Sequence, residues 1–245
     1  MVSTTNLESN VSSLHENYFF KEFTYSNNTF YDTRGQEVEL ADNVIYLDGL
    51  TIIFQLKERS SKDFTNQEAE QKWFERKVLG KGIKQVKDTL VYLNQNTQIP
   101  LKNQQGDDFI LSESSVTQIH KIIVYSASEN LLDEYKYKKF HISKTAGVIH
   151  IFSIDVYREI IGILMTPAEV SEYFLFRETL IRKWGGLINS LPEGALIGQY
   201  FSEEHDKQPN RDFIKYIFAI DHKVEDWDVT GIIHSFKKRL TNFRS

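Results

Sequence analysis

The sequence predicts a mixed α/β protein, with strands concentrated before about residue 155 and helices after it. Three local signals predict it. Two runs of strand composition, Glu37 to Leu47 and Leu50 to Lys57, are separated only by Asp48-Gly49, a strong short-range hairpin signal. From about Glu68 to Asn94, Leu79, Ile83, Val86, Leu90 and Leu93 alternate spacings of four and three, the pattern of one buried helical stripe. At Thr166-Pro167-Ala168-Glu169 a helix start is written three times over. Thr166 can cap, Pro167 is pre-set for the first helical position, and Glu169 completes a capping box.

The remaining elements follow from the same reasoning. Leu7, Val11, Leu14 and Tyr18 stand at helical spacing, with Phe19, Phe20 and Phe23 thickening that face, so a helix is expected over 7–23. Ser26-Asn27-Asn28 ends it as a turn. Pro100 and Gln104-Gln105-Gly106-Asp107-Asp108 read as a loop, and Ile119 to Ser126 and Val148 to Phe152 as further strands. The helix opened by Thr166 runs to about Trp184 and stops at Gly185-Gly186, and two or three more helices are expected around Phe213, Ile217 and Ile232-Ile233. Tyr173, Phe174 and Phe176 on the helix opened by Thr166 are expected to be core or a partner surface rather than a base-stacking platform.

Composition narrows the function classes. The chain has 245 residues, a net charge of −5 and no cysteine, so structural disulfides and thiolate metal sites are excluded. A polyanion would have to be held by a local patch, because the global field is negative. No apolar run approaches the roughly 20 residues of a membrane span. The polar start Met1-Val2-Ser3-Thr4-Thr5-Asn6 lacks a signal-peptide pattern, so a cytoplasmic protein without a membrane partner is expected.

The hairpin carries chemistry. With Asp48-Gly49 as the turn, Leu47 pairs with Leu50 and the ladder places Asp42 across from Gln55. Lys57 lies two residues further along and shares that face, while Ala41, Ile45, Leu47, Leu50, Ile52, Phe54 and Leu56 form an apolar face. A carboxylate, an amide and an ammonium thus meet at one end of a sheet. Phosphodiester hydrolysis needs a hard cation to offset phosphoryl charge and to acidify a water. Asp42 suits Mg²⁺ or Mn²⁺, the Gln55 side-chain oxygen or the Leu56 carbonyl can assist, and Lys57 can position the water or hold developing charge.

An acid on one strand and (Glu or Gln)-x-Lys on the next resembles the PD-(D/E)XK, or restriction-endonuclease-like, nuclease superfamily. The matching residues are Glu39-Leu40-Ala41-Asp42 and Phe54-Gln55-Leu56-Lys57-Glu58-Arg59. The order helix, strands, hairpin, helix, strand over roughly residues 8–153 is also similar. The resemblance implies a mixed sheet flanked by helices, with Asp42 and Gln55 at the metal and Lys57 catalytic. It also implies an extra acid from the first helix, Glu16 with Glu22 competing. Polar residues of the following helix, in the row Lys81, Gln85, Asp88 and Tyr92, are candidates to face the site. No proline precedes Asp42, and glutamine replaces the commoner glutamate.

Charge is distributed to match. From Lys57 to Asp88 nine basic residues (Lys57, Arg59, Lys62, Lys72, Arg76, Lys77, Lys81, Lys84, Lys87) face six acids (Glu58, Asp63, Glu68, Glu70, Glu75, Asp88). That segment is +3, which leaves −8 for the rest of the chain. Gly80-Lys81-Gly82 lacks phosphate-loop spacing, and the histidines His15, His120, His141, His150, His205, His222 and His234 never stand at the close spacings of a zinc site. The expectation is a Mg²⁺- or Mn²⁺-dependent endonuclease, with DNA taken ahead of RNA and host defence or DNA processing as the analogy. Residues 1–155 would form its core, and the helices of 156–245 would bind a protein partner, dimerise or clamp substrate. The alternatives are a nuclease-fold subunit that no longer cuts and serves assembly, or a nuclease that waits for a partner to deliver DNA.

Overall fold

A computed structural model describes residues 7–26, 28–59 and 66–218. The chain divides into two units, Met1–Thr179 and Leu180–Ser245. In chain order the first contains helix α1 (Leu7–Phe19), strand β1 (Thr24–Ser26) and the antiparallel pair β2 (Thr29–Tyr31) and β3 (Glu37–Glu39). Then come the hairpin β4 (Asn43–Leu47) and β5 (Leu50–Glu58), helix α2 (Gln67–Trp73), a π-helical stretch (Phe74–Gly82) and helix α3 (Ile83–Gln95). A second hairpin, β6 (Ile99–Lys102) and β7 (Asp108–Leu111), precedes β8 (Gln118–Ser126), α4 (Asp133–Lys136), β9 (Phe140–Ser143), β10 (Gly147–Ser153), α5 (Ile154–Leu164) and α6 (Pro167–Trp184). The second unit carries α7 (Glu193–Ser202), whose Ala195, Leu196 and Ile197 are buried.

The central sheet is mixed and runs β1-β4-β5-β8-β10-β9. Its β5–β8 and β8–β10 pairs are parallel and its other pairs antiparallel. Helices cover both faces. On one, Ile53, Ile123, Tyr125, Ile149 and Ile151 form a core with Phe74, Val78, Ile83 and Val86 from the long helix. On the other, His15 of α1, Tyr157 of α5 and Phe174 of α6 pack on Phe54, Phe152, His120 and His150. The expected division of the hairpin into an apolar and a polar face is therefore corrected. Strand β5 is central and covered on both sides, and Gln55 and Lys57 are only 2% and 8% exposed.

The turn behaves as its chemistry demands. Asp48 (φ 46°) and Gly49 (φ 88°) are both left-handed, as the two central residues of the favoured hairpin turn must be. The register Leu47↔Leu50 through Asn43↔Phe54 follows, and brings Asp42, one residue before β4, opposite Gln55. A side chain at Gly49 would start 2.5 Å from Thr117 Oγ1, at a φ that glycine adopts freely and other residues only under strain. Gly49→Ala should lower the urea midpoint by the equivalent of ~2 kcal/mol, and an unchanged midpoint would contradict this reading of the turn.

The departures from the sequence reading are local and explicable. The first helix ends at Phe19, not Phe23, because Phe20 turns left-handed (φ 66°) and Thr24–Ser26 is recruited as edge strand β1. The run 37–47 breaks into β3 and β4, since Leu40 and Ala41 dip into the core between them. The expected loop around Pro100 closes as hairpin β6–β7. Along the long helix the buried stripe passes through Phe74, Val78, Gly82 and Val86, with Leu79 and Leu90 only partly buried. The cause is the π-helical stretch, whose wider turn favours a spacing of four. The two units divide at Thr179 rather than near residue 155, because α5 and most of α6 pack over the sheet. Tyr173, Phe174 and Phe176 are core, as expected. The helix expected at Ile232-Ile233 lies outside the described residues. Among those residues, no helix is long and apolar enough to cross a membrane.

Candidate functional site

A cavity of about 400 Å³ opens at the end of the hairpin, and Asp42, Leu56 and Lys57 form its floor. Strand pairing brings Asp42 to β5, and Lys57 reaches back across the same edge. Lys57 Nζ donates to Asp42 Oδ2 at 3.2 Å and to the Leu56 carbonyl at 2.8 Å, while the Leu56 N–H donates to the same Asp42 oxygen. Both side chains are nearly enclosed, at 8% and 10% exposure. Burial, the largest influence, pulls the Lys57 pKa below the ordinary lysine value, and the Asp42 carboxylate opposes it. The ammonium therefore holds two of the oxygens that the sequence reading reserved for a cation.

Glu8, Glu39 and Glu58 add carboxylates to the cavity wall, and Lys77 and Lys81 add ammoniums from the π-helical stretch. Partial burial, then the charge of Asp42, raises the pKa of both Glu8 and Glu39, and Lys57 acts against the rise. Like-charged groups this close want a cation among them. Two amide oxygens point to the same need. Gln55 Oε1 and Gln85 Oε1 are buried and accept no hydrogen bond among the described residues, a costly state for a carbonyl oxygen. Gln85 lines the cavity, whereas Gln55 lies behind it within β5.

Three tethers hold the walls. The Leu7 N–H, at the first turn of α1, donates to Glu58 Oε2 at 3.2 Å and so fixes Glu8 at the cavity. Arg59, directly after β5, pairs with fully buried Glu70 of α2 at 2.8 Å, tying the lysine-bearing helix to the lysine-bearing strand. Asn43, next to Asp42, accepts through Oδ1 from His15 Nδ1 at 2.7 Å and donates through Nδ2 to Ser12 Oγ at 3.2 Å.

The residues expected at the site divide accordingly. Asp42, Leu56, Lys57, Lys81 and Gln85 come together at the cavity. Glu16 does not line it and pairs with Lys21 at 3.6 Å. Glu22 sits in the short turn after α1, where its carbonyl accepts from Asn103. Asp88 is turned outward to Lys84, and Tyr92 stands edge-on to Phe30. Helix α1 contributes Glu8 instead, about two turns earlier than any acid the spacing singled out, because its N-terminus rather than its middle reaches the end of β5. Trp73 and Lys77 were also not singled out. Their signal is the spacing of four, Trp73, Lys77, Lys81 and Gln85, which becomes a row only in the wider π turn.

A second polar cluster lies on the opposite face of the sheet. One ring nitrogen each of His120 and His150 and a Glu178 carboxylate oxygen lie within 4.8 Å of one another, the spacing of a metal set. Arg177 Nη1 stands 2.7 Å from His150 Nδ1 and can only donate, so the proton of His150 resides on Nε2. That nitrogen is then a donor toward Glu178, 3.8 Å away, rather than a ligand lone pair. The pair is invisible in sequence because only the β8–β10 pairing brings it together.

Comparison of the chain with protein-family models, with curated proteins and with solved structures finds no match, so its function is argued from this cavity.

Proposed function

We propose that the cavity is the active site of a metal-dependent phosphodiesterase acting on nucleic acid, with DNA as the first substrate to test. The single observation that carries this is the meeting of Asp42, just before β4, with Lys57 of the adjacent β5, at a cavity lined by further carboxylates and lysines. The order α1, β1, β4–β5 hairpin, long helix, β8 agrees with the restriction-endonuclease-like core that the motif resembles.

The residues fit a hard divalent cation. Asp42, with Glu8 and Glu39, would hold Mg²⁺ or Mn²⁺, and the Leu56 carbonyl and the unsatisfied Gln85 oxygen can complete an all-oxygen set. Bound there, the cation would neutralise phosphoryl charge and acidify a water. The chain's own part is positional and protonic. Asp42 orients Lys57 through the 3.2 Å contact, and Lys57, its pKa lowered by burial, holds or delivers a proton at the oxygen that enters or leaves phosphorus. Trp73 and Leu7 close the cavity with apolar surface, which strengthens each charge interaction inside.

A second reading has its own support. Gln55 is neutral and set behind the cavity, and the Lys57 ammonium occupies Asp42 and the Leu56 carbonyl, an arrangement suited to a fold that binds without cutting. Incubation of the purified chain with supercoiled, linear and single-stranded DNA separates the two. Products that form with Mn²⁺ and vanish with chelator support the enzyme. Intact DNA on every substrate, together with a stable protein complex, supports the binding module.

A further inference from the structure

The π-helical stretch Phe74–Gly82 demands a reason, since such turns are rare beyond single bulges and gather at functional sites. In a uniform α-helix a row spaced by four drifts by about 40° a step, or about 120° from Trp73 to Gln85. The wider turn takes much of that drift back, and Trp73, Lys77, Lys81 and Gln85 all line the cavity. Gly82 sets the depth of the row. A Cβ there would stand 3.0 Å from Ile123 Cδ1, so the glycine lets the helix backbone close on the sheet.

Four lysines of this helix separate into two pairs. On its outer sides Lys72 pairs with Glu68 at 2.5 Å and Lys84 with Asp88 at 2.6 Å. Lys77 and Lys81, facing the cavity, have no hydrogen-bond or ion-pair partner among the described residues. Lys81 is nonetheless near enough to act on the charges of Lys57 and Glu39. Two uncommitted ammoniums and a set of carboxylates line one cavity. The carboxylates suit a cation, and the lysines suit an anion beside it.

We infer that Lys77 and Lys81 form a second anion subsite, which takes two successive phosphates of the strand next to the one at Asp42, one on each lysine, and that the π-helical turn exists to present both. This rests on the phosphodiesterase reading and deepens it. The substrate is thereby a polymer with successive phosphates rather than an isolated phosphodiester. Each lysine neutralises one phosphate and releases its counterions, so each contributes about one unit to the slope of log affinity against log salt.

The test is fluorescence anisotropy of a labelled, cleavage-resistant phosphorothioate duplex in Mn²⁺ over a NaCl series. The proteins compared are wild type, Lys77→Gln, Lys81→Gln, the double variant and Lys84→Gln. The subsite predicts roughly fivefold weaker binding for each single variant, a salt slope lower by about one unit per lysine, and no change for Lys84→Gln. Equal binding by wild type and the double variant, or an equal loss in Lys84→Gln, overturns the subsite and leaves the phosphodiesterase reading intact. No binding by wild type overturns both. Lysine-dependent binding without cleavage of ordinary DNA keeps the subsite and removes the enzyme.

Discussion

Lys57→Met is expected to reduce metal-dependent cleavage by roughly a thousandfold, the scale of losing a positioned acid–base group that also stabilises charge. It should also destabilise the chain, since Asp42 then keeps a nearly enclosed carboxylate with the Leu56 N–H as its one partner among the described residues. Breaking a buried pair from one side costs about 3 kcal/mol. Stability and activity can be separated with the double variant Asp42→Asn/Lys57→Met, in which no charge is stranded. Its urea midpoint should return most of the way to wild type while cleavage stays absent. Activity in either variant within a few-fold of wild type would remove Lys57 from the mechanism.

The second large effect is acid destabilisation. Burial pushes the pKa of His15 and of His120 down to about 4, and that of His150 well below its ordinary value. Unfolded, each titrates near 6.5. Between those values the unfolded chain takes up protons that the folded chain refuses, so stability must fall as pH drops from about 6.5 to about 4. A shift of this size corresponds to ~3 kcal/mol per histidine. Loss at two or three such sites rivals the whole stability of an ordinary domain. The raised pKa values of Glu8 and Glu39 act in the opposite sense, but both side chains reach solvent and their effect is smaller. Urea midpoints measured from pH 7 to pH 4.5 should fall steeply in wild type and less so in His15→Gln. Parallel curves would show that His15 is not held neutral by the fold.

What the sequence revealed depended on the range of the cause. Asp48-Gly49 dictates its own turn, and the turn dictates the register, so the meeting of Asp42 with the Gln55–Lys57 segment was legible from the sixteen residues that span it. The fate of Gln55 was not. Its burial depends on β8 pairing along β5 and on helices covering both faces, which no local pattern announces. Glu16 looked suitable by its position in α1, yet the depth at which that helix docks is set by the contact of Leu7 with Glu58, and so Glu8 arrives instead. The offset of the stripe from Leu79 to Val78 has the same character. A change of helical pitch reassigns a whole face, and only Gly80 and Gly82 hinted at it.

The most direct measurement is calorimetric titration of Mn²⁺ into wild type, Asp42→Asn and Gln85→Leu at neutral pH. The cavity predicts saturable binding by wild type and affinity weakened by an order of magnitude or more in Asp42→Asn. Flat heats for wild type, or binding that Asp42→Asn leaves unaltered, would contradict a catalytic cation at this hairpin.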